Sequence, residues 1–251
     1  MVNKMKQVAK SAAILAACVL VAIPAYYGFR IYTAKQYTSE VILKDLEHDQ
    51  WRSPEGPAHK FEIRAADLSI RQKEILIKVQ DPGFYSHSGI DLSTPGAGLT
   101  TITQAIVKKL YFENFKSGIA KIRQSLIARF IVNAMISKED QLTLFINTIY
   151  FGRFNDLGVV GMQSAANAYF QKSVDRLTED QYIALVAMLV APNTFHLIDH
   201  PEWNRERVRR IKALIGGQYK PKGLMDQFYG ELPPEVIAAG LPKFSYLPDL
   251  Y

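Results

Sequence analysis

Cysteine is nearly absent. Cys18 is the only one in 251 residues, which excludes an intramolecular disulfide and a zinc site built on thiolates. Histidine is scarce as well, with five in all, and none is placed as a convincing metal ligand. Glu47-His48-Asp49 are three adjacent residues, which rarely converge on one ion. His196 and His200 are four apart, but Pro192 and Pro201 bracket them in loop rather than helix. There is no internal repeat and no low-complexity segment, and almost every periodic segment has helical spacing. Negative charge is in deficit, with 24 Asp and Glu against 30 Lys and Arg for a net of +6. That balance favours an anionic partner, and lipid headgroups, a diphosphate and nucleic acid fit the sign equally well. A chain of this length can bury one core of about 200 residues and little more.

What the chain does have, first of all, is a long apolar run. Ser11 to Phe29 are nineteen consecutive uncharged residues, roughly 28 Å as a helix, close to the thickness of a bilayer core. Lys4, Lys6 and Lys10 precede the run. Arg30 and Lys35 follow it, with Tyr26, Tyr27 and Tyr32 at the far edge. This pattern predicts a cytoplasmic segment 1–10, a transmembrane anchor 11–32 and an extracytoplasmic remainder. The rival reading is a cleaved signal peptide, and Leu15-Ala-Ala-Cys18 looks like a lipoprotein cleavage box. The run continues eleven residues past Cys18, which suits an anchor better. Residues 33–67 are polar and mixed, broken by Ser53-Pro-Glu-Gly-Pro57, and read as a stalk. Residues 216–251, with Pro233, Pro234, Pro242 and Pro248, read as an irregular extension.

Between them, residues 68–215 read as a single all-α domain. Ser69-Ile-Arg-Gln72 is a capping box that starts a helix near Ile70, with Ile75, Leu76 and Val79 as its apolar stripe and Pro82-Gly83 as its end. Gln80 sits on its last turn and Asp81 just beyond. Phe84, Tyr85, His87 and Asp91 follow in a compact loop, where His87 reads as a hydrogen-bonded structural histidine. The next helix begins around Thr100 or Thr101 and buries Ile102, Ile106 and Leu110. Its polar stripe is Thr101, Gln104 and Lys108. A third helix, from about Ile119 to Ile136, is expected to bury Ile122, Leu126 and Phe130, with Lys121 and Gln124 on another face and Arg123 flanking it. Ser137-Lys-Glu-Asp140 caps a fourth helix, striped by Leu142, Phe145, Ile146 and Ile149 and carrying Asn147. Thr178-Glu-Asp-Gln181 caps a strongly apolar helix through Val190. Arg205 to Ile215 forms a last, arginine-rich one.

Three of these stretches carry a resemblance. Gln80-Asp-Pro-Gly-Phe-Tyr-Ser-His-Ser-Gly-Ile-Asp91, Gly98-Leu-Thr-Thr-Ile-Thr-Gln-Ala-Ile-Val-Lys108 and Lys121-Ile-Arg-Gln124 resemble, in order, motifs of the family 51 glycosyltransferases. The stretch ending Tyr150-Phe-Gly152 and the one from Gly161 to Lys172 extend the likeness. The family polymerises lipid II into peptidoglycan strands on a lysozyme-like helical fold. It joins a sugar 4-hydroxyl to an anomeric carbon and expels undecaprenyl diphosphate.

The resemblance implies a general base for the acceptor hydroxyl and cations for the leaving diphosphate. It makes Lys108, Lys121 and Arg123 phosphate ligands, and it adds Thr101, Thr103, Gln104 and Asn147 to the substrate site. Lipid II, membrane lipids and other wall-synthesis proteins are the implied partners, and nucleic acid is not one of them. No cofactor is assigned, although a divalent cation on the diphosphate stays open.

The departures lie at the centre. Gln80 and Gln124 stand where the family has its two catalytic glutamates, and an amide has no proton-accepting carboxylate. Thr143 replaces another glutamate, Leu99 replaces a glycine, and only six residues separate Asp91 from Gly98. A cleft-lining helix or loop is therefore expected to be missing. Three readings follow. Asp81 or Asp91 could serve as a displaced base in a working transferase. The protein could instead bind lipid II or glycan without catalysis and regulate other wall enzymes. A lysozyme-like hydrolase also needs a glutamic acid and is the weakest of the three. No Ser-x-x-Lys occurs in the sequence, so no fused transpeptidase is expected.

Overall fold

The computed structural model describes residues 2–116 and 118–238. Helix α1 (Val2–Tyr37) is continuous and carries Pro24 in its interior. From Leu15 onward it is long and apolar enough to cross a membrane, and its apolar window is not buried against the rest of the chain. The helix does not end where the apolar run ends. Beyond Tyr37 it takes a π turn over Thr38–Ile42 and enters α2 (Leu43–Glu47).

Ala34, Thr38, Ile42 and Leu46 recur at every fourth position, and all four are buried. The Thr38 and Tyr111 hydroxyls meet at 2.6 Å. Strand β1 (Gln50–Trp51) then pairs antiparallel with β2 (His59–Lys60) around the proline break, and Trp51 is buried. Residues 33–67, expected as a stalk, are thus packed into the domain. Their polar composition hides a one-sided apolar stripe, which is enough to bury a helix face.

The motif helices form where their caps place them. Helix α3 (Ile70–Gln80) starts at Ser69 with the Gln72 side chain reciprocating. Helix α4 (Ile102–Tyr111) starts at Thr101 with Gln104 reciprocating. Helix α5 (Ile119–Ile127) runs through a π turn, Ala128–Val132, into the short α6 (Asn133–Met135). Helix α7 (Lys138–Thr148) is capped by Ser137. A hairpin of β3 (Tyr150–Phe154) and β4 (Leu157–Val160) follows, so the domain is helical apart from two small two-stranded sheets. Helices α8 (Met162–Phe170), α9 (Glu179–Met188), α10 (Pro201–Ile215) and α11 (Pro234–Ala238) complete the described chain. Pro242 and Pro248 lie outside the described residues.

The core sits where α4 packs on α7 and α9 on α10. Ile102, Ile106, Leu142, Ile146, Leu185 and Ile211 are fully buried there. One helix face differs from expectation. On α5 and its π turn the buried residues are Gln124, Ile127, Ala128, Ile131 and Val132, whereas Ile122 and Phe130 are half exposed. The helix carries two apolar stripes, and the domain takes the one that period alone did not single out.

The described part of the extension, residues 216–238, also packs against the domain. The Gly96 amide donates to the Gly223 carbonyl at 2.9 Å, and the Gly98 amide to that of Leu224 at 2.8 Å. Tyr229 donates to the Val79 carbonyl at 3.1 Å. The short Asp91–Gly98 connection therefore has the turn-rich segment 221–227 alongside it.

The loop after α3 is held by glycine geometry. Gly89 has φ +91, and a Cβ there would stand 2.5 Å from the Ala128 carbonyl oxygen. Gly89→Ala should cost about 2–3 kcal/mol, a backbone-strain penalty plus a clash with main chain that cannot swing aside. Thermal unfolding of the purified chain should show a fall of roughly 4–12 °C. Gly223→Ala, where a Cβ meets nothing within 4 Å, should leave the melt unchanged.

Candidate functional site

Asp81, Asp91 and His87 organise the approach to the site rather than its interior. Asp81 is fully buried. Its Oδ2 accepts the Ile102 amide at 2.9 Å, and its two oxygens accept His87 Nε2 at 2.9 and 3.0 Å. His87 Nδ1 in turn accepts the Gly89 amide at 3.0 Å, which fixes the neutral Nε2–H tautomer. The Thr101 hydroxyl donates to the Gly89 carbonyl at 2.8 Å.

Asp91 is buried, and its Oδ1 accepts the Ser93 and Thr94 amides. Burial would push this carboxyl up. Hydrogen bonds from Thr94 and Ser93 outweigh burial and hold it down at about 2, which makes it a feeble base. Neither aspartate lines the cavity described next, so the structure does not bring the two candidate replacement bases to it.

The cavity has a volume of about 610 Å³ and opens between the ends of α3, α4 and α5. Gln80 reaches it from the last turn of α3, Lys108 and Lys109 from α4, and Lys121 and Gln124 from α5. Lys116, on the loop before α5, and Arg207, on α10, add two more cations. Glu113 is the single carboxylate among the lining residues. Five cations against one anion make it a basic site.

Lys121 donates to the Thr100 hydroxyl at 3.0 Å, and burial lowers its pKa to about 8. Lys109 is lowered by burial too. Lys108 stands 5.3 Å from the centre of the Phe115 ring. Gln124 is fully buried. Its Nε2 donates to the Gln104 carbonyl at 2.6 Å, while its Oε1 is buried and has no hydrogen-bond partner among the described residues. An orphaned buried acceptor is costly, and this one belongs to a side chain that lines the cavity.

Several residues assigned to the substrate site by resemblance stand elsewhere. Thr101 caps α4 and Gln104 closes the capping box, with Gln104 Nε2 bonded to Ser125. Thr103 donates to Gln141 at 2.7 Å. Asn147 bonds the Glu62 amide and the Ile63 carbonyl, pinning the segment before α3. Thr143 accepts the Ala65 amide. Arg123 donates to the Tyr111 carbonyl at 3.2 Å and stacks on Phe112 at 4.4 Å. None of these lines the cavity. The stripe Thr101, Gln104, Lys108 therefore splits, with two members capping the helix and one facing the cavity.

Arg207 and Gln227 were missed by sequence reading. Arg207 is buried and bonded to the Ala187 and Gln227 carbonyls. It lies within 5.5 Å of the ring centres of Phe195, Phe228 and Tyr229. Burial lowers its pKa to about 10. A signal did exist, because Arg207 falls at i−4 and i−7 from the core residues Ile211 and Leu214, on the buried face of α10.

Comparison with known proteins agrees with this architecture. The family model described as Transglycosylase matches residues 52–215. The chain is 33% identical over 165 residues to penicillin-binding protein 1F of Bacillus subtilis (strain 168), covering 61% of this chain and 22% of that protein. It is 29% identical over 181 residues to penicillin-binding protein 1B of Escherichia coli (strain K12), covering 66% and 21%. Against penicillin-binding protein 1B of Buchnera aphidicola it is 28% identical over 194 residues, covering 72% and 25%. The matched part is thus a quarter or less of each of these relatives. With its family-wide match, its helical domain and its basic cavity, the chain belongs to the transglycosylase family, glycosyltransferase family 51.

Proposed function

We propose that this protein is anchored in the bacterial cytoplasmic membrane by α1, with its domain outside. There its cavity binds the diphosphate and glycan of lipid II during peptidoglycan synthesis without polymerising it. The observation that carries this reading is the pair of carboxamides, Gln80 and Gln124, lining a cavity rich in cations. Lysine ammonium groups suit a diphosphate. The orphaned Gln124 Oε1 can accept a sugar hydroxyl or an acetamido N–H, but it cannot remove a proton at neutral pH. Loss of a general base typically costs about 10²–10⁴ in rate. A non-catalytic lipid II binder would act by presenting or withholding substrate from other wall enzymes.

A catalytic reading has one observation in its favour. Glu113 lines the cavity, and a carboxylate there can serve as base if the acceptor hydroxyl comes within about 3 Å of it. Labelled lipid II, assayed separately for binding and for polymer, discriminates the two. The wild type should bind and form no detectable glycan. Polymer that disappears in Glu113→Gln would establish the catalytic reading instead.

Lys121 supplies a pH signature. Its ammonium has a pKa of about 8 in the free protein because of burial, so the cation is present below that pH and lost above it. A bound diphosphate favours the charged form, and affinity must then fall as pH rises past about 8. Lys121→Met should weaken lipid II binding roughly tenfold or more at pH 7 and flatten the decline between pH 7.5 and 9. A decline as steep in the variant as in the wild type would place the phosphate elsewhere.

Restoring both carboxylates tests the rest of the cavity. Gln80→Glu with Gln124→Glu should yield at most a trace of polymer. Leu99, Thr100 and Gln227 line a wall that the short Asp91–Gly98 connection and the extension build together. A base displaced by 1 Å from its hydroxyl loses about a hundredfold. Efficient polymerisation by the double variant would show that the two amides are the only lesions.

A further inference from the structure

Arg123 does not line the cavity; besides its bond to the Tyr111 carbonyl and its stacking on Phe112, its guanidinium feels the charge of Arg30 on α1. Helix α5 packs against α1, and the Arg123 guanidinium lies close enough to Arg30 for the two charges to repel. Burial lowers the Arg123 pKa first and Arg30 lowers it further, while Tyr26, on the same helix as Arg30, raises it. The Nε atoms of both arginines are buried and without a hydrogen-bond partner among the described residues. Two like charges brought together with unsatisfied buried donors are unfavourable unless an anion joins them. Guanidinium pairs suit phosphate oxygens in particular, because each presents a planar fork of donors.

Depth identifies the anion. Arg30 is the first charged residue after the uncharged run Ser11–Phe29, so in a spanning α1 it stands at the level of the headgroups. Phe29, next to Arg30 in α1, and Ile122, next to Arg123 in α5, are exposed, as is Phe130 in the π turn that follows α5, as suits side chains that meet acyl chains rather than water.

We propose that Arg30 and Arg123 form a binding site for the phosphate of a membrane phospholipid, at the junction of the anchor helix with the domain. Bound lipid clamps α5 to α1 and so holds Lys121 and Gln124, on the same helix, at a fixed height above the bilayer. The site rests on α1 crossing the membrane and is independent of what the cavity binds.

The test uses the full chain in mild detergent, with retained lipid counted by native mass spectrometry after adding phosphatidylglycerol. Inorganic phosphate and a polyprenyl diphosphate serve as separate arms. The wild type should retain phosphatidylglycerol. Arg30→Gln with Arg123→Gln should retain it about tenfold less, and Arg30→Lys with Arg123→Lys should recover part of the loss. Lys121→Met, which weakens the cavity, should retain it as the wild type does. Should the double glutamine variant melt early, Arg30→Gln alone carries the comparison. Equal retention by wild type and glutamine variants overturns the proposal. Competition by millimolar inorganic phosphate with no lipid retained shows a free-phosphate site and overturns the lipid assignment. Retention of the polyprenyl diphosphate alone assigns the pair to the substrate and overturns it likewise.

Discussion

A single buried carboxylate ties the motif region together. Asp81 has no exposure to solvent, and an ionised group so placed is tolerable only if its oxygens are satisfied. The first amide of α4 and the His87 ring satisfy them. Each partner then imposes its own demand. The histidine must keep Nδ1 free to accept the Gly89 amide, Gly89 must take a positive φ, and its carbonyl receives the Thr101 hydroxyl that caps α4. The spacing Asp81, His87, Gly89, Thr101 is thus the covalent shadow of one closed hydrogen-bond circuit. It sets the end of α3 against the start of α4, and with them the positions of Gln80 and Lys108 at the cavity.

This explains why the motifs read so clearly and yet misled about individual roles. Capping boxes are local, and those at Ser69 and Thr178 appear where the residue pattern puts them, while the pair read as a polar stripe, Thr101 and Gln104, forms another. Hydrophobic period is local too, and α3, α4 and α7 bury the stripes expected of them. A motif, however, records which residues must be present and not which of them touch a ligand. Thr101, Thr103, Gln104 and Asn147 are bonded within the fold, and their identities serve its geometry. On α5 the ambiguity was physical. The α5 segment carries apolar residues on two faces, so Ile122 and Phe130 were as plausible a core face as Ile127 and Ile131.

What no window of sequence could show is the pairing of distant segments. Six residues join Asp91 to Gly98, too few for a wall of their own. The wall is completed by the chain some 130 residues later, where the Gly223 and Leu224 carbonyls accept the Gly96 and Gly98 amides. Tyr229 fastens the same segment to the end of α3, and the Gln227 carbonyl reaches Arg207. Non-local bonds of this kind leave no periodic trace. Of the prolines that suggested irregular chain, Pro233 precedes the short α11 and Pro234 opens it, and proline is tolerated in the first turn of a helix. The buried face of α10 did carry a trace, since Arg207 shares the helical register of Ile211 and Leu214.

The two glutamines and the softened lysine are parts of one electrostatic arrangement. Gln124 and Lys121 are three apart on α5, so they are neighbours on its surface, and both line the cavity. A glutamate at position 124 would be an ionised group with no exposure, stabilised chiefly by the ammonium beside it, and it would raise that ammonium's pKa in return. With an amide there, nothing offsets the burial of Lys121, and its pKa falls to about 8. The amide keeps its donor engaged on the Gln104 carbonyl and leaves its acceptor open. The resulting cavity holds a net positive charge and an unfilled hydrogen-bond acceptor but no buried base. It is better matched to holding an anionic, hydroxyl-bearing ligand than to moving a proton from one.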